Sequence, residues 1–93
     1  MTRGTAQLIT IQQAVRAASG YISELQGFMG GRVDDIRLEE AELSEDEQLW
    51  HITMSFTRPI DNALVPNQVQ REYKVFDIST TTGSVKSMKI RTL

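Results

Sequence analysis

The hydrophobic period of this chain changes once, from 3.6 residues to 2, and the change falls at Gly30-Gly31. Before it, Ile11, Ala14, Val15, Ala18, Ile22, Leu25 and Met29 recur at steps of three and four. That spacing lays one apolar stripe along a helix. The opposite side carries Gln12, Gln13, Arg16, Ser19, Ser23 and Gln26. Thr10 and Gln13 have the spacing of a capping box, in which the Thr hydroxyl and the Gln side chain each satisfy the other's backbone amide. Gly27, Gly30 and Gly31 supply stop signals, since glycine enters the left-handed region without a steric penalty. A helix is therefore expected from Ile11 to about Gln26. Gly20 costs it about 1 kcal/mol against alanine, or marks a point of close packing.

After Gly31 the pattern is that of strands. Val33 to Leu43 is rich in acids, with Ile36 and Leu38 on one parity and Ala41 and Leu43 on the other. That phase shift calls for a bulge near Glu39-Glu40, because one extra residue moves every later side chain to the other face. Ser44 to Glu47 is a polar loop of hairpin length. From Leu49 to Thr57, Trp50, Ile52, Met54 and Phe56 alternate with His51, Thr53, Ser55 and Thr57, as in an antiparallel strand buried on one side. Pro59 ends it, and Asp61-Asn62 and Pro66-Asn67 mark a loop running to Gln68. Val69 to Ile78 has Tyr73 and Val75 on one parity and Phe76 and Ile78 on the other. This strand is either bulged or buried on both faces near its end. Thr80 to Gly83 is a tight turn. Val85 to Arg91 closes the series, with Val85, Met88 and Ile90 as expected core contacts.

The order α-β-β-β-β with short connections predicts an α+β fold, one N-terminal helix packed on a four-stranded antiparallel meander sheet in two layers. Residues 1–9 are expected to be a flexible N-terminus and residues 10–93 a single α+β domain. The second face of the sheet, bearing His51, Thr53 and Ser55, is expected to be open to water or to a partner.

Composition then narrows the chemistry. Among 93 residues there is no cysteine and one histidine, which leaves no thiolate or histidine-rich metal site and no cysteine nucleophile. No cofactor is expected. No apolar run approaches about 20 residues, so no membrane insertion is expected. Read as a complete chain, it shows no charged leader followed by an apolar run, and a cytoplasmic location is expected. The net charge of −2 conceals a division: eight of the twelve acids lie from Asp34 to Glu47, and half of the ten cations lie from Arg71 onward.

Several pieces together resemble a PepSY-type domain. They are the alanine-bearing helix Gln12-Gln13-Ala14-Val15-Arg16-Ala17-Ala18, the strand Val33-Asp34-Asp35-Ile36-Arg37-Leu38, the tryptophan-bearing strand Leu49-Trp50-His51-Ile52, and the closing stretch Tyr73 to Val85 with its Thr82-Gly83 turn. The resemblance spans roughly Ile9 to Ile90, with Ser79 at the position of the family's turn aspartate. It implies a cystatin-like helix-on-sheet module. Members occur in peptidase propeptides, so it also implies an inhibitory or regulatory role.

Each candidate residue has two readings. His51 is a general base or pH switch, or a solvated strand residue. Glu39, Glu40 and Glu42, with their acidic neighbours, form a cation site, a docking strip for a basic partner, or a charged edge that blocks aggregation. The spacing is not that of an EF-hand. Lys86, Lys89 and Arg91, with Arg71 and Lys74, are a nucleic-acid patch or the counter-charges of the acidic strand. Few aromatics interleave them, so no nucleic acid is expected. Trp50 is a core anchor or a binding hot spot. The reading favoured for the whole chain is non-enzymatic: a module binding a protein partner or itself, through His51, Thr53, Ser55, Glu39, Glu40 and Glu42. The alternative is a small-ligand binder with its pocket between helix and sheet near Gly20, Trp50 and Phe56.

Overall fold

The computed structural model describes residues 7–60, 64–65 and 67–92. It has one helix, α1 (Ile11–Leu25), and four strands, β1 (Asp34–Leu43), β2 (Leu49–Pro59), β3 (Val69–Ser79) and β4 (Val85–Ile90). The strands form one open antiparallel sheet in the order β1-β2-β3-β4. This is the expected meander with the helix on one face.

The helix starts as its cap predicts. The Gln13 amide donates to Thr10 Oγ1 at 3.1 Å, and the Thr10 amide donates to Gln13 Oε1 at 2.8 Å. Ala14, Ala18 and Ile22 are fully buried beneath it, and the two alanines let the helix axis approach the sheet. The helix ends at Leu25, after which the chain turns through Gly30 and Gly31, with φ of 101° and 109°. A Cβ on Gly30 would lie 2.5 Å from Arg58 Nη1, so a side chain there would displace the Arg58 guanidinium. Gly20 faces outward with open space where a Cβ would stand, so it marks neither close packing nor a pocket. Gly20→Ala is therefore expected to stabilise the protein by about 1 kcal/mol, raising the melting temperature by about 4–8 °C. A lowered melting temperature would show that the helix cannot accept a side chain there.

The inner face of the sheet is set by register. Trp50, Ile52, Met54 and Phe56 on β2 face the helix, and Ile78 and Phe76 on β3 pair with Trp50 and Ile52. The ladder slips between Leu38 and Glu40, which is the expected bulge at Glu39-Glu40. Its effect is to bring Ile36, Leu38, Ala41 and Leu43 to the inner face despite their change of parity. A second slip lies between Asp34 and Arg37, where Asp35 has a φ of 51°.

Of the two readings of β3, burial on both faces holds, and two other expectations change. β3 pairs with β2 in unbroken register from Val69 to Ser79, so it carries no bulge on that side. Phe76 and Ile78 are inside, and Tyr73 and Val75 lie on the outer face, half-buried. Ile90 was expected in the core, yet it is 78% exposed. Its partner is Lys74, and the inner parity of β3 continues through Lys74 to Glu72 rather than through apolar residues. On β3 and β4 the core thus ends at Phe76 and Met88, while on β2 it runs on through Met54 and Phe56. Beyond it, Arg58 donates to Glu72 from Nε at 2.9 Å and from Nη2 at 3.1 Å. Finally, the flexible segment expected over residues 1–9 lies outside the described residues as far as Ala6, but Ile9 is held. Its amide donates to the Thr80 carbonyl at 2.8 Å, and its carbonyl accepts from Trp50 Nε1 at 3.2 Å. Of the loop expected from Pro59 to Gln68, Asp61-Asn62 and Pro66 also lie outside the described residues.

Candidate functional site

The outer face of the sheet is covered by its own polar side chains. Alternation and register put His51, Thr53 and Ser55 of β2 opposite Asp77, Val75 and Tyr73 of β3. Arg71 and Arg91 then reach across from β3 and from the residue after β4 toward the acidic strand.

Ser55 is fully buried. Its hydroxyl donates to Glu39 Oε2 at 2.6 Å and accepts from Arg71 Nη1 at 2.7 Å. Arg71 also donates to the Asp35 carbonyl at 3.2 Å and to its carboxylate. The bulge residue Glu39 and the left-handed residue Asp35 thus supply the acceptors of this cluster. One step along the sheet, Thr53 is 4% exposed and accepts from Arg91 Nη1 at 2.9 Å, while the same Nη1 donates to Glu40. The expected counter-charge arrangement therefore holds for Arg71 and Arg91. It does not extend to Lys86 and Lys89, which have no ion pair among the described residues.

The Arg37 guanidinium, bonded to Asp35 Oδ1 at 3.1 Å, holds the Asp35 carboxyl below the ordinary carboxylate range, and the charge of Arg71 adds to this. The Asp46 carboxyl is also lowered, first by the Ser44 hydroxyl at 2.7 Å and then by the Gln48 amide. A depressed folded-state pKa means that the unfolded chain binds more protons in that window. The stability it confers is complete above the unfolded value, about pH 4, and is lost as the pH falls through the folded value. Urea midpoints should therefore fall below about pH 4, and Arg37→Gln should make that fall shallower than in the parent. Superimposable pH profiles would show that Arg37 does not set the Asp35 carboxyl.

His51 takes part in a separate contact. Its Nδ1 lies 2.6 Å from Asp77 Oδ1, and the Ser87 hydroxyl donates to Asp77 Oδ2 at 3.0 Å. The other ring nitrogen, Nε2, has no hydrogen bond among the described residues. This is an oriented imidazole, but Ser87 sits beyond Asp77 and not at Nε2. The order of a nucleophile–base–acid relay is absent. Surface clefts of about 230–410 Å³ open among the described residues, one of them on this face and one beside β3. These clefts among the described residues are not lined by Gly20, Trp50 or Phe56, where the small-ligand reading placed its pocket. Among the described residues no group of three or more His, Asp or Glu side chains converges as a metal site. The helix is neither long nor apolar enough to cross a membrane.

The expected partner-binding residues therefore separate. His51 is partly exposed, at 36% of its side chain. Glu42 is exposed and opposite it on β1. Glu39 and Glu40 engage Ser55 and Arg91, and Thr53 and Ser55 lie beneath these longer side chains, with a cleft of about 230 Å³ opening between Glu39, Glu40, Thr53, Tyr73 and Arg91. The reason is length: an arginine spans the roughly 5 Å between neighbouring strands with its stem to spare.

What lies open is the edge. β3 has 11 residues and β4 has 6. The β3–β4 ladder ends where the Arg91 amide donates to the Tyr73 carbonyl at 3.0 Å. From Val69 to Glu72, β3 has no strand beside it on that side among the described residues. A cleft of about 400 Å³ lies in this notch, bounded by Gln70, Arg71, Tyr73, Lys74, Ile90 and Arg91 among others. The sequence carried a signal for it, namely a third strand longer than the fourth. Comparison with models of known families, with curated proteins and with solved structures finds no match.

Proposed function

We propose that this protein is a non-enzymatic interaction module of the PepSY kind, which docks a partner polypeptide along the free edge of its sheet. The observation that carries this reading is the open four-stranded sheet, whose edge strands β1 and β4 have no further strand beside them among the described residues. Unpaired amides and carbonyls at a sheet edge are a template for strand addition. The resemblance to PepSY domains adds a peptidase or a peptidase precursor as one kind of partner.

Lysine-directed cross-linking in the cells that make the protein tests this. Lys74, Lys86 and Lys89 stand on or beside the free edge, and cross-links from them to a second polypeptide are the expected result. Cross-links confined to the chain itself, together with a strictly monomeric sedimentation profile, would reject the reading.

A further inference from the structure

The cleft on the outer face is bounded by polar groups that are only partly used. It holds about 230 Å³ between Glu39, Glu40, Thr53, Tyr73 and Arg91. Glu40 and Arg91 meet there through one nitrogen, Nη1. The Arg91 Nε and Nη2 and the Glu40 Oε2 have no partner among the described residues. Arg58 and Glu72 differ, since their fork closes on both carboxylate oxygens. Glu39 accepts from Ser55 at Oε2 and leaves Oε1 unused among the described residues. Thr53, 4% exposed, is the most deeply set of the five. Its hydroxyl accepts from Arg91 Nη1 at 2.9 Å, and its own hydrogen is donated to no described residue. A buried donor left unmade is costly, and an acceptor placed in the cleft removes that cost. The half-buried Tyr73 supplies an aromatic wall. Thr92, which follows Arg91, lines the separate cleft beside β3 and not this one.

The cleft therefore sets spare donors and spare acceptors of opposite charge side by side. A carboxylate suits the remaining edge of the Arg91 guanidinium and the Thr53 hydroxyl, and an ammonium suits the free oxygens of Glu39 and Glu40. A ligand carrying both groups a bond or two apart bridges the Glu40–Arg91 contact without breaking it. A cation alone leaves the Arg91 and Thr53 donors unmet, and an anion alone meets two carboxylates. The volume lies below the roughly 300 Å³ at which pockets for drug-sized ligands begin, so the ligand is small. We infer that this cleft binds a free α-amino acid as its zwitterion, with the amino-acid side chain against Tyr73. The inference goes beyond the edge-docking reading and does not depend on it.

The test titrates the isotope-labelled full chain with glycine, leucine and phenylalanine, which share the zwitterion and differ in the side chain. Amide shifts that saturate below about 10 mM are expected at Glu39, Glu40, Thr53, Tyr73 and Arg91. Leucinamide lacks the carboxylate and N-acetylleucine lacks the ammonium, and each is expected to bind at least about tenfold more weakly than leucine. Thr53→Val removes the donor at nearly constant shape. Glu39→Gln removes the charge and keeps an acceptor for Ser55. Each is expected to weaken leucine binding about tenfold while the amide spectrum away from the cleft stays as in the parent. Should either variant fail to fold, the two leucine derivatives still decide the matter on the parent chain. Equal binding of leucinamide would make the cleft a surface for cations, and equal binding of N-acetylleucine one for anions; either result overturns the inference. Three amino acids without saturable shifts, shifts centred elsewhere, or binding unchanged in both folded variants would overturn it as well.

Discussion

Phe76→Ala is expected to remove about 3–5 kcal/mol of stability. Phe76 is fully buried at the centre of the inner face. It pairs with Ile52 on one side and Met88 on the other, and Tyr21 meets it edge-on with ring centroids 6.0 Å apart and planes at 78°. Truncation leaves a cavity between three strands and the helix, and β-sheet backbone collapses into such a space poorly. A domain of this size has about 5–15 kcal/mol in total, so the loss is about a fifth of it or more. The melting temperature should fall by at least about 12 °C. Ile90→Ala is the control: it has the same inner parity two residues beyond Met88, but 78% exposure, and it should shift the midpoint little. If Phe76→Ala cost less than about 1 kcal/mol, the helix would not be closing this core.

That contrast shows where the sequence was readable. Periodicity found the helix, all four strands and the bulge at Glu39, because burial imposes period and a bulge breaks it in a countable way. It placed Ile90 wrongly because a parity rule has no knowledge of where the covering layer stops. The core ends where β3 turns from Phe76 to Lys74 and Glu72, and only the pairing of β3 with β4 brings that change beside Ile90. The candidate site was legible in its charges but not in its connections. The division between the acids of β1 and the cations after Arg71 is visible in the chain. That Arg71 caps Ser55, or that His51 meets Asp77, depends on cross-strand register over 16 and 26 residues of separation. Thr53 and Ser55 were read as exposed because alternation assigns polar residues to a face without saying whether longer side chains then cover that face.

Arg71→Met is the second large effect expected, at about 2–3 kcal/mol, and its cause is polar. Methionine keeps much of the stem that lies on the outer face but removes every donor. Three acceptors then lose a partner: the Ser55 hydroxyl, the Asp35 carbonyl and the Asp35 carboxylate. Ser55 matters most, since it is fully buried and its remaining contact is as donor to Glu39. A buried acceptor left unmade costs more than the bond contributed, whereas the exposed part of the Arg71–Asp35 pair is worth about 0–1 kcal/mol in water. The same reasoning makes the effect separable. Adding Ser55→Ala removes the orphaned hydroxyl, so the second substitution should cost less in the Arg71→Met background than in the parent. A double-mutant cycle read by urea unfolding measures that coupling, expected at about 1 kcal/mol or more. Additive costs would mean that Arg71 acts on the sheet through Asp35 alone. The outer face would then be held by its exposed charges and not by the buried hydroxyl beneath them.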